Sequence, residues 1–233
     1  MTTLSYERWL QFWTNYKGQP HQNSALRSLY DQILKADPSI LTEEAQWRQQ
    51  FSTAPKPTVL NPLIVPYQTQ LDNASGQGMR ECFSSSCAMV AMYYGKVKSD
   101  NEYNQVRAKY GDTTSSTAQV KALQSLGLNA LFRTNGTAAD LERLLKEGRP
   151  IPVGWLHHGT PANPTGGGHW TVVIGSTDKT WIHHDPYGEA NMTTGGYLIS
   201  KTKGKGVEYT KANWNPRWMV KGTGGWYLDI SNR

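Results

Sequence analysis

One run constrains this chain more than any other: Glu81-Cys82-Phe83-Ser84-Ser85-Ser86-Cys87-Ala88-Met89-Val90-Ala91-Met92-Tyr93-Tyr94-Gly95. From Ser84 to Tyr94 it carries no charge, and its small and apolar residues predict a buried helix closed by Gly95. A helix of that kind has to be wrapped by the rest of the fold. Cys82 falls at its N-terminal end, after a polar loop, whereas Cys87 lies inside it among Ala88, Met89 and Val90.

That placement separates the two thiols chemically. Unpaired backbone N–H groups at a helix start place about half a positive charge beside a sulfur there. Such a setting lowers a thiol pKa and favours the nucleophilic thiolate. Far downstream stand Gly166-Gly167-Gly168-His169-Trp170 and His184-Asp185-Pro186-Tyr187-Gly188. A cysteine, a histidine opening a strand and an acid ending the next strand supply a nucleophile, a base and an orienter in that order. The pattern predicts cysteine-hydrolase chemistry.

A length of 233 residues fits one large domain, or one medium domain with a small module. Nine Trp and twelve Tyr supply core material, so the polar composition does not imply disorder. Two cysteines five positions apart cannot form a disulfide framework. They point to two free thiols and a reducing site of synthesis. No apolar run approaches membrane-spanning length and the N-terminus has no signal-peptide pattern. The expectation is a protein made soluble in a host cytoplasm, without stable membrane insertion and monomeric.

The net charge of +6 is unevenly placed. Residues 1–55 hold five Lys/Arg and five Asp/Glu, so the remainder carries the excess. Residues 201–221 hold six Lys/Arg against the single Glu208. Such a stripe either attracts an anionic polymer or is a solvated face. No nucleic-acid motif accompanies it, so no nucleic-acid partner is expected.

Organisation follows from periodicity and punctuation. Tyr6, Trp9, Leu10 and Trp13 repeat at helical spacing, and Gly18-Gln19-Pro20 stops that helix. Leu26, Leu29, Tyr30, Ile33 and Leu34 form the stripe of a second helix, and Thr42 caps a third running to about Gln50. Ser52 to Thr58 has linker composition, which places a boundary near Pro57. The division is a small all-α module at 1–56 and a main domain at 57–233. In the main domain Leu63 to Tyr67 reads as a strand. Ser99 with Glu102 marks a helix to about Tyr110, another spans 116–126, and Thr137 caps one from Asp140 to Glu147. Leu131-Phe132-Arg133, Ile151 to His157, His169 to Ser176 and Thr180 to Asp185 read as strands, the last two joined as a hairpin by Thr177-Asp178-Lys179. Helices first and an antiparallel sheet afterwards is an α+β layout.

Each site residue has a competing reading. Cys82 could be a structural thiol or a metal ligand, but a helix start after a polar loop suits an activated nucleophile better. Cys87 reads as core packing. His169 follows three glycines, which let backbone approach closely and leave one side of the imidazole open; the alternative is a histidine satisfied at a strand edge. Asp185 can sit beside it and fix its tautomer. His157, His158, His183 and His184 could build a zinc site with Asp185. Their spacing lacks a metalloprotease helix motif, and adjacent histidines on a strand point to opposite faces. No metal and no cofactor are expected. For the oxyanion, Gln70 with the backbone N–H of Cys82 is the first choice, and Gln77 is the rival.

Taken together, Val65-Pro66-Tyr67-x-x-Gln70-Leu71-Asp72, Cys82 with Ser86, Ala88-Met89 and Tyr93-Tyr94-Gly95, Gly168-His169-Trp170 and Asp185-Pro186 resemble the bacteriocin-processing-type cysteine peptidases. The resemblance covers roughly residues 63–190 and implies a papain-like fold. Phe83 departs from it, because that family usually has glycine after the cysteine. The run Trp13-Thr14-Asn15-Tyr16-Lys17-Gly18-Gln19-Pro20-His21-Gln22 is similar to a small helical module found beside cell-wall hydrolases of cyanobacteria and their phages. The whole chain thereby resembles phage endolysins. That implies peptidoglycan as substrate, a bond in its stem peptide or cross-link (or an amide between sugar and peptide), and action on the wall after release from the cytoplasm. The alternatives are a processing peptidase acting on a protein leader and a non-catalytic wall-binding protein.

Overall fold

The computed structural model describes residues 62–200 and 203–232, together with Gln32 and Lys35. By its internal contacts the chain divides into Met1–Lys56 and Pro57–Arg233. The three N-terminal helices and the Trp13–Gln22 run lie outside the described residues, apart from Gln32 and Lys35, which are helical and exposed.

Five helices are described in the second unit: α1 (Cys82–Tyr93), α2 (Asp100–Ala108), α3 (Ser116–Ser125), α4 (Ala138–Lys146) and α5 (Lys211–Trp218). The strands are β1 (Leu128–Gly136), β2 (Ile151–Trp155), β3 (His158–Thr160), β4 (Asn163–Thr165), β5 (His169–Ser176), β6 (Thr180–His184), β7 (Gly188–Ala190), β8 (Tyr197–Ser200), β9 (Lys205–Thr210) and β10 (Gly225–Asn232). Six of them form an antiparallel sheet in the order β1-β10-β2-β5-β6-β9, while β3-β4 and β7-β8 are separate hairpins. Helices packed on an antiparallel sheet make this an α+β fold. Among the described residues no helix is long and apolar enough to cross a membrane.

Local chemistry sets the helix ends. Gly95 at φ +68° ends α1, its N–H donating to the Met92 carbonyl while the Lys96 N–H reaches Ala91, the paired bonds of a Schellman stop. Ser99 caps α2 through the Glu102 N–H, but the Glu102 carboxylate takes the Lys98 N–H, so the box is only half formed. Thr137 and Asp140 make the complete box at α4.

The sheet buries both faces. Val172 and Ile174 of β5 pack with α1 residues Cys87, Ala88, Met89, Val90 and Ala91, whereas Val173 joins Trp155, Trp181, Tyr209, Trp214 and Trp218 on the opposite side. Burial on both faces explains why β5 reads as a continuous apolar run.

Three expectations change. Leu63 to Tyr67 joins no ladder. Pro62 and Pro66 have no N–H to give, and the Leu63 N–H bonds the Ile174 carbonyl at 2.7 Å, at the bulge between Val173 and Gly175. The strand from Ile151 ends at Trp155, before His157. The sheet also gains β9, β10 and a longer β1, and the basic stretch contributes α5 although Pro216 lies inside it.

Candidate active site

Cys82 is the first residue of α1, whose first main-chain bond runs from the Ser85 N–H to the Glu81 carbonyl at 2.8 Å. The N–H groups of Cys82, Phe83 and Ser84 therefore precede the helix's own ladder. Cys82 is half-buried, whereas Cys87 is fully buried and its thiol is pushed far up by that burial. Glu81 fixes the helix start from beneath. Its buried carboxylate accepts from Asn73 Nδ2 (2.7 Å) and Ser75 Oγ (2.8 Å), with Arg107 at 3.9 Å.

His169 opens β5 and is 5% exposed. Its Nε2 meets Asp185 Oδ1 at 2.8 Å, which leaves Nδ1 outside that contact, and the Cys82 side chain lies near enough to act on the ring's charge. Burial alone would lower the imidazole's pKa. The charge and hydrogen bond of Asp185, followed by the hydrogen bond and charge of Cys82, outweigh it and push the value up to about 10. The protonated ring is thus the resting form at neutral pH. Of the three glycines before it, only Gly166 makes a close approach, to the His158 ring; space is open around Gly167 and Gly168.

Asp185 lies just beyond the last β5–β6 ladder pair, Val172 with His184, and is completely buried. Oδ1 also accepts from the Tyr187 N–H at 3.0 Å, and Oδ2 accepts from Tyr209 Oη at 2.9 Å. Its own carbonyl accepts from Tyr67 Oη, and its N–H donates to the Gly204 carbonyl. A carboxylate held on every side is a fixed orienter for a histidine.

One contact sets the distance between the two halves. Phe83, next to Cys82, stacks on Trp170, next to His169, with ring centroids 3.6 Å apart and planes within 5°. The departure at Phe83 thus couples helix to strand.

Gln70 sits in a short 3-10 turn, 1% exposed, its N–H bonded to the Pro186 carbonyl and its Nε2 to the Gly78 carbonyl at 2.6 Å. Gly78 has to be glycine, because a Cβ there would lie 2.3 Å from the Gln70 carbonyl oxygen. One Nε2 hydrogen remains uncommitted. Gln77 is exposed and accepts from Arg80.

The four other histidines among the described residues do not gather into one cluster. His183 Nδ1 bonds Thr171 Oγ1 on the aromatic face, whereas His184 bridges the Val65 carbonyl and the Gly206 N–H on the other. Among the described residues no three His, Cys, Asp or Glu side chains are placed to share a metal ion.

Sequence reasoning missed Tyr209, Arg217 and Tyr197. Tyr209 could have been found, because Val207 and Tyr209 alternate inward along β9. Arg217 and Tyr197 carry no motif; Tyr197 opens β8 and Arg217 lies in α5.

No curated protein matches this sequence. Among solved structures, a putative C39-like peptidase from Bacillus anthracis is similar at 15% identity and a TM-score of 0.53, covering 77% of this chain and 99% of its own. The peptidase domain of Streptococcus ComA, a bi-functional ABC transporter, shares 19% identity at a TM-score of 0.48 over 72% of this chain and 98% of its own. A double glycine motif protease from an AMS/PCAT transporter, solved with a leader peptide, shares 20% at 0.46 over 76% and 98%. The first of these likenesses is one of fold. Residues 60–197, more than half of the sequence and the span that holds Cys82, His169 and Asp185, match the papain-like cysteine protease family of AvrRpt2, and the chain belongs to that family of cysteine peptidases.

Proposed function

We propose that Cys82 is the nucleophile of this peptidase, His169 its acid and base, and Asp185 the group that holds the imidazole. The observation that carries the assignment is the 2.8 Å contact between His169 and a fully buried Asp185, with Cys82 half-buried at the helix start and acting on the charge of the same imidazole. The Cys82 thiolate attacks a peptide carbonyl to form a C–S bond. One uncommitted hydrogen of Gln70 Nε2 and the Cys82 N–H stabilise the oxyanion. As the C–N bond breaks, His169 gives its proton to the leaving amine. Water, deprotonated by His169, then hydrolyses the thioester and regenerates the thiolate–imidazolium pair. The proton given to the amine is restored to His169 by the hydrolytic water, so the cycle closes.

For the substrate we propose the peptide part of bacterial peptidoglycan, in an endolysin-like role reached after release from the cytoplasm. The resemblance of Trp13 to Gln22 to a wall-hydrolase module supports this reading. So does the positive excess carried beyond residue 55, which favours an anionic polymer. The test is mass spectrometry of purified peptidoglycan treated with the wild type and with Cys82→Ala. The expected result is wild-type release of fragments with new stem-peptide or cross-link termini. Fragments cut between sugar and peptide would identify an amidase. No release, from an enzyme that cleaves proteins, would assign it to processing a protein or leader peptide.

A further inference from the structure

Two buried polar atoms beside His169 have no hydrogen-bond partner among the described residues, Tyr197 Oη and His157 Nδ1. Their rings form a triangle with the imidazole, with centroids 5.6 Å apart for Tyr197–His169, 5.7 Å for His157–His169 and 6.0 Å for His157–Tyr197. Tyr197 stands edge-on to His169 at 87°. Burial first, then the charge of Asp185, holds the Tyr197 phenol protonated, with Tyr209 and Cys82 acting in the same direction, so its hydroxyl stays a donor.

A hydroxyl buried without a partner opposes folding, and truncation to phenyl would remove that penalty. The fold nonetheless fixes it in place. The Gly196 N–H donates to the His157 carbonyl at 2.7 Å. Arg217 is fully buried and has no ion pair among the described residues. Its guanidinium donates instead to the carbonyls of Leu156 (3.3 Å), His158 (3.0 Å), Gly159 (2.7 Å) and Met192 (3.1 Å). These bonds tie the segment after β2 to the β7–β8 turn and hold the two unpartnered groups against the imidazole.

We propose that Tyr197 is a substrate-binding residue on the leaving-group side, its hydroxyl donating to a carbonyl of the segment that departs as the amine, with His157 lining the same subsite. The assignment rests on the reading of His169 as the acid for that amine. A proton donor has to face the departing nitrogen, so groups packed on His169 face the residues that leave with it. Substrate then supplies the acceptor that the folded chain does not.

The experiment compares Tyr197→Phe with wild type on two probes. One is a peptide chosen by cleavage from a proteome-derived library; the other is the coumarin amide of that peptide's acyl half, which has no residues on the leaving side. For the peptide, kcat/KM falls about tenfold, the worth of one hydrogen bond. For the coumarin amide it stays within about twofold, and the thermal midpoint does not drop. Equal losses on both probes, or no loss on either, would overturn the proposal. Cys82→Ala on the same probes keeps the two readings apart. If it still cleaves, the thiol assignment fails; if it is inactive while Tyr197→Phe is unaffected, only the subsite assignment fails.

Discussion

The two faces of the central sheet position their halves of the site by different means. On the α1 face the contacts are made by small and aliphatic side chains, Cys87, Ala88, Val90 and Ala91 against Val172 and Ile174. Side-chain shape sets how the body of the helix sits there, while the Phe83–Trp170 stack and the bonds to Glu81 hold its first turn and with it Cys82. On the α4–α5 face the core is aromatic, and four of its rings use their polar handles. Trp155 Nε1 donates to Thr171 Oγ1, Trp181 Nε1 to Asn215 Oδ1, Trp218 Nε1 to the Trp226 carbonyl and Tyr209 Oη to Asp185 Oδ2. That face aims side chains as well as filling space. Packing on the first face fixes where the nucleophile is, and hydrogen bonding from the second fixes how the imidazole is turned.

The largest effect separates the two thiols of α1. Cys82→Ala is expected to lower peptide hydrolysis by at least about 10⁴-fold while leaving the fold intact. Cys87→Ala leaves hydrolysis within a few fold, and denaturant unfolding shows a loss of about 1 kcal/mol from the small cavity. A Cys82→Ala protein that still hydrolyses peptides breaks the assignment of roles.

A smaller effect contrasts the faces directly. Asp185→Asn is expected to cost about 10²-fold or more in kcat, because the imidazolium loses its charged partner. Tyr209→Phe costs about tenfold through one hydrogen bond to that carboxylate. Ile174→Ala, on the aliphatic face, lowers stability by about 2–5 kcal/mol but leaves kcat close to wild type wherever the protein is folded. Steady-state kinetics at a temperature where all three stay folded decide the matter. If Ile174→Ala depresses kcat as far as Tyr209→Phe does, the faces are not distinct in role.

The smallest effects are those of pH on stability. His169 has a folded pKa raised to about 10 from 6.5, so folding favours its protonated form. Its contribution is complete below about 6.5 and is lost as pH rises through about 10. Asp100, buried near the start of α2, is raised to about 6 from 3.8 by burial and then by the charge of Asp72. Its contribution is complete below 3.8 and is lost as pH rises through about 6. Asp100→Asn is therefore expected to stabilise the protein by about 1 kcal/mol at pH 8 and by little at pH 4. Urea unfolding at the two pH values checks it; equal shifts at both would refute the cause.

Much of this was legible in the sequence, and what was not has a physical reason. His169 to Ser176 is an unbroken apolar strand bounded by glycines and a turn, so its limits could be read from composition. The cysteine helix was equally plain because Gly95 ends it with local bonds. The sequence favours Gln70 over Gln77 without excluding the rival, and burial separates the two. Leu63 to Tyr67 has strand composition, but Pro62 before it and Pro66 within it lack the N–H groups a ladder needs. The partners of Asp185 stayed hidden because Tyr209 comes 24 positions later, brought in by sheet order, and Tyr67 comes 118 earlier on a segment outside the sheet. Arg217 lies in a basic stretch that reads as solvated surface, yet four backbone carbonyls take its charge in the interior.

The central claim is that Cys82, His169 and Asp185 act as one unit, and alkylation tests it without any assumption about substrate. Wild type and His169→Gln are treated with limiting iodoacetamide at pH 6, and labelling is followed at each cysteine by peptide mass spectrometry. The account predicts fast labelling of Cys82 in the wild type, slowing about tenfold or more in His169→Gln as the imidazolium that stabilises the thiolate is lost, with Cys87 unlabelled in both. Equal labelling rates at Cys82 in the two proteins, or labelling of Cys87 first, would contradict it.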